Sequence, residues 1–91
     1  TVAETEAAAN VADRYVSRLE ALNAAGELNE QQQSEYHGTL VMLTQTIPEL
    51  ADLINLETDE INGGTDALYA NIEAWRQRAT VQAYQEQLNT I

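Results

Sequence analysis

Ile47-Pro48-Glu49-Leu50-Ala51-Asp52-Leu53-Ile54-Asn55-Leu56-Glu57-Thr58-Asp59-Glu60-Ile61-Asn62-Gly63-Gly64-Thr65 is the stretch that decides the fold. A residue before proline is pushed out of the helical region, so Ile47 marks the end or a kink of whatever precedes it. Proline itself is tolerated in a first helical turn, where its missing amide has no partner to lose. Pro48 to about Ile54 therefore reads as a short extra turn of helix with Leu50, Leu53 and Ile54 apolar. Asn55 to Gly64 is the only stretch without helical periodicity. There Leu56 and Ile61 flank Thr58-Asp59-Glu60, which suits a tiny β-hairpin, short for one standing alone. Gly63-Gly64 breaks the chain again, and Thr65 or Asp66 can cap a new helix.

Upstream, Tyr36, Leu40, Leu43, Ile47 and Leu50 recur in steps of four and three, one face of a helix. Asn29 supplies its cap, and Gln32, three residues on, can reach back to close a capping box. Before that, Ala8, Ala12, Tyr15, Leu19 and Leu22 mark a first helix over about Ala3 to Ala25. Val11 and Val16 widen its stripe, and Asp13, Arg14, Arg18 and Glu20 are expected to face outward. Ala25-Gly26 is the stop, glycine taking the left-handed conformation that closes a helix without a side-chain clash.

Downstream, Ala67, Ala70, Ala74, Val81, Tyr84, Leu88 and Ile91 stand at heptad-compatible, coiled-coil-like spacing. A second stripe of Leu68, Ile72, Trp75 and Ala79 reads as lying beside the first, a face broad enough for two partner helices. Three stripes of comparable length imply an all-α fold, an antiparallel three-helix arrangement, over residues 1–91 as one domain. Both ends read as cuts through a longer chain, so an excised fragment is expected.

Composition narrows function more than it defines it. The 91 residues contain 15 acidic side chains, four arginines, one histidine and no cysteine, for a formal net charge of −11. Such a chain repels phosphate backbones and anionic membranes, so neither direct nucleic-acid binding nor membrane binding is expected. No uncharged run approaches the ~20 residues of a bilayer span. Without cysteine there are no disulfides and no thiolate metal sites.

Chemistry is sparse. His37 is the sole histidine and supports neither a histidine-based catalytic pair nor a multi-histidine metal site. Glu57, Asp59 and Glu60 before Asn62-Gly63 invite comparison with a calcium loop. With Thr58, Glu60 and Asn62 as first, third and fifth ligands, the twelfth position falls on Tyr69, where the scheme requires a bidentate glutamate. Ser17 and Ser34 lack nucleophile-elbow glycines, and Gly63-Gly64 lacks a P-loop lysine. No catalytic, cofactor-binding or metal-binding residue is assigned, no cofactor is expected, and the chain reads as non-enzymatic. Trp75 is either an anchor of the domain's own core or a contact for a missing part of the parent chain. Its mid-helix position separates it from secreted helical hairpins whose tryptophan precedes a turn glycine.

From roughly Leu28 onward the chain resembles segments of the tail tape-measure proteins of long-tailed phages and prophages. The resemblance rests on Gln32 through Tyr36, Leu43, Ile47-Pro48-Glu49-Leu50 and Leu56-Glu57-Thr58. It continues through Ile61, Gly63-Gly64-Thr65, Ala67-Leu68, Trp75 and Ala83 to Leu88. These are punctuation and packing residues, so their order carries the likeness; residues 3–25 add only a generic alanine-rich helix.

The resemblance implies a virion structural protein of the tail interior, present in the bacterial cytoplasm during assembly, that acts in tail length determination and tail assembly. Its implied partners are other segments of the parent chain and phage tail proteins, with self-association open. No residue matches the lytic active sites that some members carry. The alternative is a helical protein-binding module of a bacterial protein that docks a partner helix through the Trp75 face. More distant is an enzyme fragment whose catalytic residues lie elsewhere in the parent.

Overall fold

The computed structural model describes residues 1–88 and is all-α apart from one minimal hairpin. Helix α1 covers Val2–Ala24, α2 covers Glu30–Thr46, a 3₁₀ turn covers Pro48–Asp52, β1 and β2 are Ile54–Asn55 and Glu60–Ile61, and α3 covers Gly64–Leu88. The three long helices and the hairpin fall where the stripes and stop signals place them. Ile91 of the expected heptad stripe lies outside the described residues.

The boundaries have local causes. Gly26 closes α1 at a φ of +91°, a conformation glycine adopts without a Cβ penalty. Asn29 caps α2 through a reciprocal pair, its Oδ1 accepting from the Gln32 amide at 2.8 Å while Gln32 Oε1 accepts from the Asn29 amide at 3.0 Å. Ile47 is extended, at φ −132° and ψ 94°, as a residue before proline must be, and α2 ends there.

The connector departs from expectation in three details. The turn after Pro48 is 3₁₀ and stops at Asp52, so Ile54 belongs to a strand and not to a helical turn. The hairpin pairs Ile54 with Ile61 and Asn55 with Glu60, which leaves Leu56 exposed in the turn instead of opposite Ile61. Asn55 forces that register, because its Oδ1 accepts from the amides of Glu57 at 3.0 Å and Thr58 at 3.3 Å and bends the chain immediately after it. Asp59 completes the turn at φ 58°, a region aspartate tolerates better than most residues.

Finally, α3 begins at Gly64, so Thr65 and Asp66 sit inside its first turn and not at its cap. Gly63, at φ +86°, allows this tight entry. A Cβ there would stand 2.8 Å from the Ala67 Cβ, closer than two carbons approach.

Packing centres on α1, which lies along both α2 and α3. Arg18 pairs with Glu35, while Asp13 pairs with Arg76 and Glu20 with Tyr69. Partner numbers in α3 fall as those in α1 rise, so α1 is antiparallel to α3. Together, α1 and α2 form a helical hairpin joined through Gly26. The 3₁₀ turn and hairpin carry the chain back along the body and pack on both α2 and α3, taking the place a fourth helix would fill.

The core is a continuous cluster that includes Val16, Leu19, Leu40, Leu43, Ile47 and Leu50, closed from α3 by Leu68 and Ile72. Ala9 and Ala12 are fully buried, small side chains that let neighbouring elements pack closely against α1. On α1 the small residue at the seam is thus Ala9 and only secondarily the half-buried Ala8. The whole body is a rod with extents of 57 × 19 × 19 Å.

Candidate interaction surface

A polar seam runs beside the apolar one between α1 and α3. Glu6, Asn10, Asp13, Ser17 and Glu20 repeat in the same four-three rhythm as the apolar stripe, so they share a face of α1. Arg76 meets the first three. Its Nη2 donates to Asp13 Oδ2 at 3.0 Å and to Asn10 Oδ1 at 3.2 Å, and its Nη1 reaches Glu73 on its own helix. Nε lies 3.2 Å from Glu6 Oε1 but makes no aligned hydrogen bond. The Arg76 side chain is 18 % exposed, far less than the other paired arginines. The hydrogen bond to Asp13 leads the causes that raise the guanidinium pKa further, ahead of the opposing cost of burial.

Two turns away, the Tyr69 hydroxyl donates to Glu20 Oε1 at 2.7 Å. Burial, reinforced by the neighbouring Glu20 carboxylate, pushes the phenol up to about 12. Asp13, Arg18 and Glu20 thus do not simply face outward as expected. Each is turned across a helix–helix seam, because residues flanking an apolar stripe are the first to meet a neighbouring helix.

The residues considered for chemistry are placed apart. His37 is half exposed, its Nδ1 2.6 Å from Asp59 Oδ1, and ties α2 to the tip of the hairpin. Its partner is therefore a carboxylate of the segment compared with a calcium loop. Among the described residues no group of three or more acidic or histidine side chains is arranged to hold a metal. An open depression of about 490 Å³ lies beside the hairpin, lined by Asp52, Asn55, Glu60 and Asn62 among others. It presents carboxylates and amides with no nucleophile. Ser17 and Ser34 are exposed on their helices. No helix among the described residues is long and apolar enough to cross a membrane.

On α3 the two stripes have different fates. Leu68 and Ile72 are fully buried, and Trp75 packs half-buried against the core cluster. Of the two readings of Trp75, contact with the domain's own core is thus the one its surroundings fit.

The other stripe is bare: Val81 is 56 %, Tyr84 63 % and Leu88 54 % exposed. At ~100° per residue, Ala70, Ala74, Val81 and Leu88 point away from Leu68 and Ile72, on the far side of the helix. The stripes are opposite, not adjacent, and only one reaches neighbouring elements of this domain. A spacing of three and four is satisfied by more than one line of residues on a helix this long, and the spacing does not say which line meets the core. This exposed stripe, interrupted by Gln77 and edged by Arg78 and Gln85, is the candidate functional surface.

Compared with protein-family models, with curated proteins and with solved structures, the chain matches none.

Proposed function

We infer that this chain is a structural, non-enzymatic segment of the tape-measure type, contributing to tail length determination and tail assembly through shape and contact. The observation that carries the reading is the rod itself, 57 Å long and 19 Å across, built almost wholly of helix. The residues on which the resemblance rests fit such a role. Pro48 opens the connector, Gly63-Gly64 opens α3, and Leu43, Leu50 and Leu68 are core. The sole histidine is engaged with Asp59. An acidic, lysine-free surface suits a component past which DNA must travel without adhering. On this reading the segment resides in the tail interior of a virion and, during assembly, in the bacterial cytoplasm. Its partners are the rest of its parent chain and the tail proteins.

The test is an in-frame deletion of residues 3–88 in the phage or prophage that encodes the segment, with tail lengths measured by electron microscopy. A segment that stays folded shortens the tail by no more than its 57 Å length. A fully extended helical one shortens it by ~130 Å, at 1.5 Å per residue. Normal tails and normal infectivity refute the reading.

A second reading is a module that docks a partner helix, favoured by the bare stripe at Val81, Tyr84 and Leu88. The docking face would then be this stripe and not the Trp75 face, whose ring is already packed against the core.

A further inference from the structure

We propose that the bare face of α3 pairs with the same face of a second copy of this chain, the two α3 helices running parallel about a two-fold axis. This stands apart from the reading as a tail segment and holds or fails without it.

Three observations select a second copy as the occupant. The first is the heptad frame. Ala74, Val81 and Leu88 take the a positions, and Ala70, Gln77 and Tyr84 the d positions, of one seam that no element among the described residues covers. Small residues in the first half let two backbones approach closely, and larger ones in the second half fill the widening gap.

The second observation is charge across the seam. In this frame Glu73 is a g position and Arg78 the following e position. In a parallel pair, g of one helix faces the next e of the other. Glu73 then meets Arg78 of the second copy, and two-fold symmetry makes the pair twice. Both side chains are more than half exposed and can reach outward, at 53 % for Glu73 and 63 % for Arg78. Their intrachain partners, Arg76 and Gln77 for Glu73 and Glu49 for Arg78, leave further acceptor and donor capacity on each group.

The third is the distribution of charge along the chain. Residues 74–88 carry Arg76, Arg78 and a single acid, Glu86, whereas every other acidic side chain lies in residues 1–73. Two copies of a molecule with a net charge of −11 repel each other over most of their surfaces. Along this part of α3 the like-charge cost is small. The face also points away from the core, so two rods placed back to back on it meet without collision of their bodies.

The seam is modest. From Ala70 to Leu88 it runs ~27 Å, and a helix ~10 Å wide gives a strip of roughly 270 Å². A standard interface covers about 800 Å² per partner. The dimer is therefore weak and reversible, in the range of ~10 μM to 1 mM.

Sedimentation of the full chain over that concentration range, in ~0.15 M salt to screen the net charge, tests the pairing. The expected result is a concentration-dependent rise toward twice the monomer mass. Val81→Glu with Leu88→Glu abolishes the rise while leaving helical circular dichroism intact, because both side chains are exposed in the monomer. The chain has no cysteine, so Gln77→Cys introduces a single thiol on the two-fold axis. Mild oxidation should then link two copies through residue 77 in good yield. A mass that stays monomeric throughout, or a dimer indifferent to the two glutamates, overturns the assignment of this face. A dimer that the glutamates abolish but residue 77 does not cross-link overturns the parallel register.

Discussion

Replacing Arg76 with methionine tests the polar seam most directly, since it keeps most of the side chain's volume and removes the charge. Arg76 contacts three carboxylates, Glu6, Asp13 and Glu73, and the amide oxygen of Asn10. Those carboxylates are each more than a third exposed, at 50 %, 37 % and 53 %, so each pair counts only as a screened surface pair. At ~0.2–1 kcal/mol apiece, with a similar amount for the bond to Asn10, the direct loss is about 1–4 kcal/mol. Removing the cation also leaves the three acids facing one another across the seam, which places the expected value in the upper half of that range. A domain of this size holds roughly 5–13 kcal/mol in total. Urea melts followed by circular dichroism should show the midpoint falling at constant slope. Much of the loss should disappear in ~1 M salt, where the screening length drops to ~3 Å. A loss below about 0.5 kcal/mol, or one that does not change with salt, refutes the view that Arg76 clamps α1 to α3 through charge.

Trp75→Ala should cost about 3 kcal/mol, the low end for a large aromatic because the ring is only half buried against the core. A urea melt showing less than about 1 kcal/mol lost would place Trp75 outside the core. Tyr69 should ionise at about 12, above its ordinary value of 10.0, because burial and Glu20 favour the neutral phenol in the folded state. The sign follows: its contribution to stability is fully present below pH 10 and is lost as pH rises from 10 toward about 12. Ultraviolet titration of tyrosinate should show one late step that Tyr69→Phe eliminates. Its persistence in that variant would disprove the assignment.

The breaks were legible because each depends on a local, steric rule. Gly26, Asn29 with Gln32, Ile47 before Pro48, and Gly63-Gly64 need only their immediate neighbours to be interpreted, and each stands at an element boundary. The core of α1 and α2 was legible at Ala12, Leu19, Leu22, Leu40 and Leu43, while on α1 the buried line is shifted by one residue to Ala9 and Val16 from the expected Ala8 and Tyr15. The bend that Asn55 makes immediately before Leu56 is local and competes with a longer hairpin. Other features depend on tertiary contact: nothing local tells that Asp13 and Glu20 meet α3 rather than water. The repeat of Glu6, Asn10, Asp13, Ser17 and Glu20 was the available sign, since a polar stripe in phase with an apolar one marks a helix with neighbours on both sides. On α3 the alanines are the source of ambiguity. Ala70, Ala74 and Ala79 suit a buried or a bare position equally, so composition could not separate the covered stripe from the exposed one.

The rod's length bears on how a helical ruler can work. Read residue by residue, 88 helical residues would extend ~130 Å, yet the folded chain spans 57 Å. Opening the rod into a single extended helix would leave most backbone bonds in place, so it releases conformational entropy mainly at the breaks near Gly26 and between Ile47 and Gly64. It would expose ten fully or nearly fully buried apolar side chains larger than alanine, from Val16 through Ile72. At ~1.5–3 kcal/mol each, the cost of exposing them is on the order of 15–30 kcal/mol. No gain at these two breaks offsets that. An extended form therefore requires other surfaces to cover the same side chains over the same length, such as neighbouring copies or the wall of a tube. Without them the segment contributes its folded length, and deletion should remove at most 57 Å from the tail. A shortening near ~130 Å would mean that those covering surfaces exist and that the rod is the form the segment takes only when alone.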